Sequence, residues 1–146
     1  MNKMGIGVGI LIFNDKNEVL MLLRNSDQIK ADSDMRLEGT YTLPSGKVRY
    51  GETFEEAAIR KLKEEANLNT TYEDLEVISL SNDINEYAHY ATIGLIAKKY
   101  DGEVVLKDSE EFDSYQFFDL EHLPDNTCVQ AKFFYFSFSS LFHSKV

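Results

Sequence analysis

Two adjacent carboxylates, Glu64 and Glu65, stand one helical turn after Arg60, in a segment that opens at Gly46 and passes through Glu52. Neighbouring carboxylates are hard oxygen donors of the kind Mg²⁺ takes, and Mg²⁺ readily shares its remaining positions with substrate phosphates. The arrangement suits holding that ion against a diphosphate. A diphosphate repels hydroxide, so its charge must be screened before water attacks; a bound metal polarises the phosphoryl group, acidifies water and stabilises the leaving oxygen. Lys61 carries the wrong charge for the simplest version of this chemistry. As an ordinary helix face the same residues would only be solvated, with Lys61 and Glu65 a plain i,i+4 ion pair contributing about 0.2–0.5 kcal/mol.

These residues need a helix, and the sequence supplies one over Thr53–Ala66. Thr53 and Glu56 form a capping box, which satisfies two orphan amide donors. Asn67 tolerates the left-handed conformation that ends a helix. At about 100° per residue, Ala57, Arg60, Lys61, Glu64 and Glu65 share one face, while Phe54, Ala58, Leu62 and Ala66 form a flank that can bury against a sheet. Upstream, Met4–Phe13 and Glu18–Arg24 read as strands joined by the polar turn 14–17, a hairpin pattern. The polar stretch 25–40 is long enough to be a functional loop rather than a plain connection. Tyr41–Leu43 is short and extended, and Pro44 keeps Leu43 out of the helical region. Leu75–Ser81, Tyr87–Lys99, Glu103–Lys107 and Tyr115–Asp119 are expected strands, and Thr127–Phe142 an expected helix. The order predicts an α/β or α+β layered fold with a mixed sheet, in one domain over residues 1–146.

The pattern resembles the Nudix box, G-x5-E-x7-R-E-U-x-E-E-x-G-U, where U is a bulky aliphatic residue. Gly46, Glu52, Arg60, Leu62, Glu64, Glu65 and Leu68 fall on it, seven of nine fixed positions. The flanks are similar to family habits too: Leu22-Leu23-Arg24, the run from Tyr41 to Gly46, and Phe117 to Pro124. The resemblance implies an α/β/α sandwich around a mixed β-sheet. It also implies hydrolysis of a nucleoside diphosphate linked to another group, with Mg²⁺ or Mn²⁺ and an attacking water. Carried over residue by residue, Glu64 and Glu65 become metal ligands, the Ser45 carbonyl a further one, Arg60 the orienter of a glutamate, and Glu52 a support for the loop or metal shell. Glu110 or Glu111, in the acidic stretch before the last strand, would add a carboxylate to metal and catalysis; spacing puts Glu110 slightly ahead.

Two positions depart from the pattern. Asn67 replaces a glycine and serves the same cap. Lys61 replaces a glutamate that in several members binds metal or acts as general base. Three readings stay open: the base comes from Glu110, Glu111, Asp108 or Glu86; Lys61 contacts a substrate phosphate; or the protein binds nucleotides with little turnover. Arg24, Tyr41 and His89, the last beside Tyr90, are candidate substrate contacts: Arg24 for a phosphate or base, Tyr41 for stacking, and His89 as a pocket-lining residue.

Composition bounds the rest. A formal charge of −10 argues against nonspecific nucleic-acid binding, which needs a basic face, but leaves room for a small-molecule nucleotide. Cys128 is alone, so no intrachain disulfide forms and a Cys-based zinc site is not expected. The apolar run Ile6–Phe13 is too short to span a bilayer and lacks a cleavage site. A cytoplasmic protein with no membrane association is expected. The aromatic run 133–142 fits core or a dimer contact, hence a monomer or homodimer. The expected reaction is that of a small MutT-like pyrophosphatase acting on a nucleoside triphosphate, with nucleotide sugars or dinucleotides as alternatives.

Overall fold

The computed structural model describes residues 2–107, 110–128 and 131. Its strands are β1 (Lys3–Leu11), β2 (Glu18–Arg24), β3 (Tyr41–Thr42), β4 (Ser45–Lys47), β5 (Leu75–Ile84), β6 (Ala88–Ala97) and β7 (Phe112–Asp119); its helices are α1 (Gln28–Ala31) and α2 (Phe54–Ala66). One sheet runs β4-β1-β6-β5 and another β3-β2-β7. β1 and β6 are parallel and every other pair is antiparallel, so the fold is mixed α/β with a mixed sheet.

The expected β1–β2 hairpin survives only at its turn. Leu20 N–H donates to the Ile12 carbonyl at 2.9 Å and Asn14 N–H to the Glu18 carbonyl at 3.0 Å, after which the strands part into different sheets. Residues 103–107 form no strand. Val105 N–H donates instead to the Ala66 carbonyl at the end of α2, and Val104 and Leu106 rest against the core, so this stretch closes the helix terminus rather than extending a ladder.

α2 begins and ends as its sequence requires. Thr53 accepts from Glu56 N–H, Glu56 reciprocates, and Asn67 takes φ 61°, ψ 28°. Ala57, Ala58, Leu62 and Ala66 pack on Val8, Ile10, Ile93 and Leu95 of the first sheet and Leu20 and Leu22 of the second. Phe54, expected on the buried flank, is 37% exposed, whereas Glu65, on the charged face, is buried. A second cluster joins Leu11, Val19, Met21, Leu43, Cys128 and Ala131. The expected C-terminal helix does not begin at Thr127: Thr127 bridges Tyr41 in extended backbone and Cys128 N–H donates to the Tyr41 carbonyl at 3.0 Å. Ala131 lies in a helix, and residues 129, 130 and the rest of the expected span, with the aromatic run 133–142, lie outside the described residues. Among those described, no helix is long and apolar enough to cross a membrane.

Candidate active site

The second box residue that matters, Glu52, meets Arg60 in a two-pronged ion pair. Arg60 Nε donates to Oε2 at 2.7 Å and Nη2 to Oε1 at 2.9 Å, and Nη2 also donates to the Lys47 carbonyl at 2.8 Å. The hydrogen bonds from Arg60, helped by Arg49 N–H, outweigh desolvation and hold the Glu52 carboxyl down at about 2. Arg60 thereby ties α2 to β4 and the loop after it. Only its Nη1 faces the next turn, 3.5 Å from Glu64.

Glu65 is 6% exposed. Ser45 N–H donates to its Oε1 at 2.9 Å, and Lys61 Nζ stands 3.6 Å from Oε2. Burial is the largest influence and pushes the carboxyl up to about 7, against the pull of Lys61, Arg24 and Ser45 N–H; Glu111 adds to the rise. Lys61 Nζ also lies 3.4 Å from Glu64 Oε2. One ammonium therefore faces both carboxylates.

The same residues wall a cavity of about 550 Å³. Its charged lining is mixed: the cations Arg24, Lys47, Arg49, Arg60 and Lys61 and the acids Asp32, Asp34, Glu64, Glu65, Asp83 and Glu111. The opposite wall comes from loop residues 32–35 and from Asp83, Tyr90 and Thr92 on the first sheet. Asp34 organises that wall: Lys3 donates to it at 2.9 Å, Lys47 pairs with it at 2.5 Å and Tyr90 Oη donates at 2.5 Å. Burial alone would raise the Asp34 carboxyl, but the donors Lys47, Tyr90 and Lys3 prevail and hold it well below the usual carboxylate range. Thr92 donates to Asp83 at 2.6 Å. A smaller cavity of about 210 Å³ adjoins, lined by Lys61, Glu64, Glu65, Leu106, Lys107, Glu111 and Phe112.

The structure thus brings together Ser45, Arg60, Lys61, Glu64, Glu65 and Arg24, but not every candidate. Glu110 lines neither cavity, whereas Glu111 lines both. Arg24 is 8% exposed: its Nη1 donates to the Ala31 carbonyl at 3.0 Å, lies 3.6 Å from Glu111, and its guanidinium covers the Phe112 ring. Tyr41 packs edge-on against Phe118 and His89 Nε2 lies 3.2 Å from Asn82 Oδ1, both away from the cavity walls. Glu86 is exposed and lines neither cavity, and Asp108 lies outside the described residues. Asp34, Lys47, Asp83 and Thr92 were not singled out by sequence. The long polar loop 25–40 was the one signal for Asp34, and none marked the others.

The match to the NUDIX domain family spans residues 3–136. The chain belongs to the Nudix family. It is 33% identical over 113 residues to an ADP-ribose pyrophosphatase of Methanocaldococcus jannaschii, covering 77% of this chain and 61% of that protein. It is 27% identical over 106 residues to the NAD-capped RNA hydrolase NudC of Pseudomonas aeruginosa, covering 73% and 36%. The chain therefore spans about three-fifths and about a third of the lengths of these relatives. A crystallised MutT Nudix hydrolase from Burkholderia pseudomallei superposes with a TM-score of 0.79 at 20% identity, covering 93% of this chain and 98% of that one.

Nudix hydrolases generally use divalent metals. The donors present here do not fit one as they stand. Among the described residues no three His, Cys, Asp or Glu side chains converge. Glu65 is committed to Ser45 N–H on one oxygen and faces Lys61 with the other. Mg²⁺ needs near-octahedral oxygen at about 2.0–2.1 Å, and the space between Glu64 and Glu65 is taken by an ammonium.

Proposed function

We propose that this Nudix protein hydrolyses the diphosphate linkage of a nucleoside diphosphate joined to a second hydroxyl-rich group, the class to which ADP-ribose belongs. The observation that carries the reading is the cavity on the Nudix box, where Lys61 and Arg49 stand among the five cationic and six acidic side chains of one lining. The substrate class is favoured by the 33% identity to an ADP-ribose pyrophosphatase. That moves the reading away from the triphosphate the sequence favoured.

The chain's own groups divide the work. Arg60, spent on Glu52 and the Lys47 carbonyl, positions α2 against β4. Lys61 and Arg49 are placed to screen the diphosphate. Water attacks one phosphorus, the bridging P–O bond breaks, and its electron pair leaves with the departing phosphate. The water's proton passes to a carboxylate, and Glu111, on the wall of both cavities, takes that role. Dependence on Mg²⁺ or Mn²⁺ would require the ion to displace Lys61 from Glu64.

A second reading, a nucleotide-binding Nudix protein with little turnover, is favoured by the same position of Lys61. A substrate panel of ADP-ribose, a nucleotide sugar, a dinucleotide and nucleoside triphosphates, with and without Mg²⁺, decides between them. The hydrolase reading expects ADP-ribose turnover that falls about 100-fold or more in Glu111→Gln. Binding without turnover by the native chain and a gain in Lys61→Glu would establish the second reading instead.

A further inference from the structure

Lys61 is held, not merely present. Its side chain is 18% exposed. A Cβ on Gly46 would lie 2.1 Å from Lys61 Cε, 2.5 Å from Cδ and 2.8 Å from Cγ, so the lysine stem occupies the room that glycine leaves on β4. The stem is thereby laid along the strand and delivers Nζ between Glu64 Oε2 at 3.4 Å and Glu65 Oε2 at 3.6 Å. Glu65 is pinned from the other side by Ser45 N–H at 2.9 Å. Glycine, lysine, the two glutamates and a backbone amide form one assembly, and its centre is a fixed monovalent cation that opens onto both cavities.

We propose that the Lys61 ammonium is the built-in cation of the Glu64–Glu65 pair, standing in for a divalent ion, and that a diphosphate-bearing ligand meets this ammonium directly. The first half depends on the geometry alone; the second rests on the nucleotide reading above. An ammonium tethered by its stem needs no recruitment from solution, but it has one charge and no exchangeable waters. It therefore anchors and screens a diphosphate while offering no water-activating centre of its own. Conversely, a divalent ion approaching Glu64 and Glu65 meets like charge at contact distance, which weakens its binding by about tenfold or more even at a high effective dielectric.

The test has two arms, both on the full chain. In the first, free Mn²⁺ is followed by electron paramagnetic resonance during titration of the native protein, Lys61→Met, Lys61→Glu and Lys61→Arg. The expected order is tight for Lys61→Glu, intermediate for Lys61→Met, and weak for native and Lys61→Arg, with about tenfold or more between ends. Adding Glu64→Gln to Lys61→Glu should remove the gain. Native protein binding Mn²⁺ as tightly as Lys61→Glu would overturn the assignment. Should Lys61→Met fail to fold, as judged by its melting transition, Lys61→Gln replaces it.

In the second arm, ADP is titrated calorimetrically in EDTA and in Mg²⁺. Native protein is expected to bind ADP in EDTA, with Mg²⁺ changing the affinity little. Lys61→Met should lose about tenfold in EDTA and recover in Mg²⁺, and Lys61→Arg should retain native behaviour. Native binding that appears only with Mg²⁺ overturns the direct contact. ADP binding to no variant, with the Mn²⁺ order intact, overturns the nucleotide reading and leaves the cation assignment supported.

Discussion

Replacing Glu65 by glutamine isolates the cost of keeping a carboxylate under α2. Burial, with Glu111 adding to it, raises this carboxyl from 4.5 to about 7 even though Lys61, Arg24 and Ser45 N–H favour its charged form. Between those values the folded chain holds a proton that the unfolded chain has released. Stability must then fall as pH rises through that window. The cost is absent below 4.5, grows up to about 7, and is complete above it. At 1.36 kcal/mol per pH unit, the full cost is about 3 kcal/mol. Glutamine is near-isosteric with the protonated acid and keeps an acceptor for Ser45 N–H, so Glu65→Gln should match the native protein at the acid end. It should exceed it by about 2–4 kcal/mol at the alkaline end. Urea denaturation in pH steps of about one unit, from about 4 to about 8, measures the difference. A constant difference across that range, or one that grows toward acid, would mean that the buried Glu65 carboxyl is not raised in the folded chain.

Other perturbations probe separate parts of the site. Glu52→Gln removes the carboxylate from Arg60 and should cost about 1–3 kcal/mol at neutral pH. The loss should shrink as pH falls from 4.5 toward about 2, because the native carboxylate contributes only while ionised; chemical denaturation at descending pH reads it. Gly46→Ala should expel the Lys61 stem, whose Cε lies 2.1 Å from the new Cβ, and lower ADP affinity in EDTA by about tenfold while the melting temperature moves little. Asp34→Asn releases Lys3, Lys47 and Tyr90. Since both lysines are more than half exposed, the expected thermal destabilisation is modest, about 1–2 kcal/mol. Glu111→Gln should abolish most turnover while Glu110→Gln leaves it near native; equal effects in steady-state assays would contradict the assignment of Glu111.

Local chemistry was legible where neighbours in sequence decide the outcome. The α2 start is a side-chain cap between Thr53 and Glu56, and its end is a left-handed Asn67; both use residues a few positions apart. The span Glu18–Arg24 emerged as the strand expected. What escaped depends on distant partners. β4 exists because Ser45, Gly46 and Lys47 pair with Gly9, Val8 and Gly7, and nothing within three residues announces that. Helical periodicity places Glu65 on the charged face, but the returning chain at Ser45 covers it. Glu110 and Glu111 differ by one position, and which enters the cavity is set by the approach to β7. There the register skips between Leu23 and Arg24, pairing Arg24 with Phe112 and Leu23 with Ser114. The Asp34 wall joins residues 56 apart, Asp34 and Tyr90, and showed in sequence only as an unusually long polar loop.

On the proposed reading, a nucleoside diphosphate sits in the cavity between α2, β4 and the Asp34 loop. Titrating ADP into isotopically labelled native protein and following backbone amide shifts tests it most directly. The largest shifts are expected at residues 45–49, 60–65 and 111, with smaller ones at Asp34 and Asp83. Saturable shifts confined to the outer edge of β5, with those residues unmoved, would contradict it.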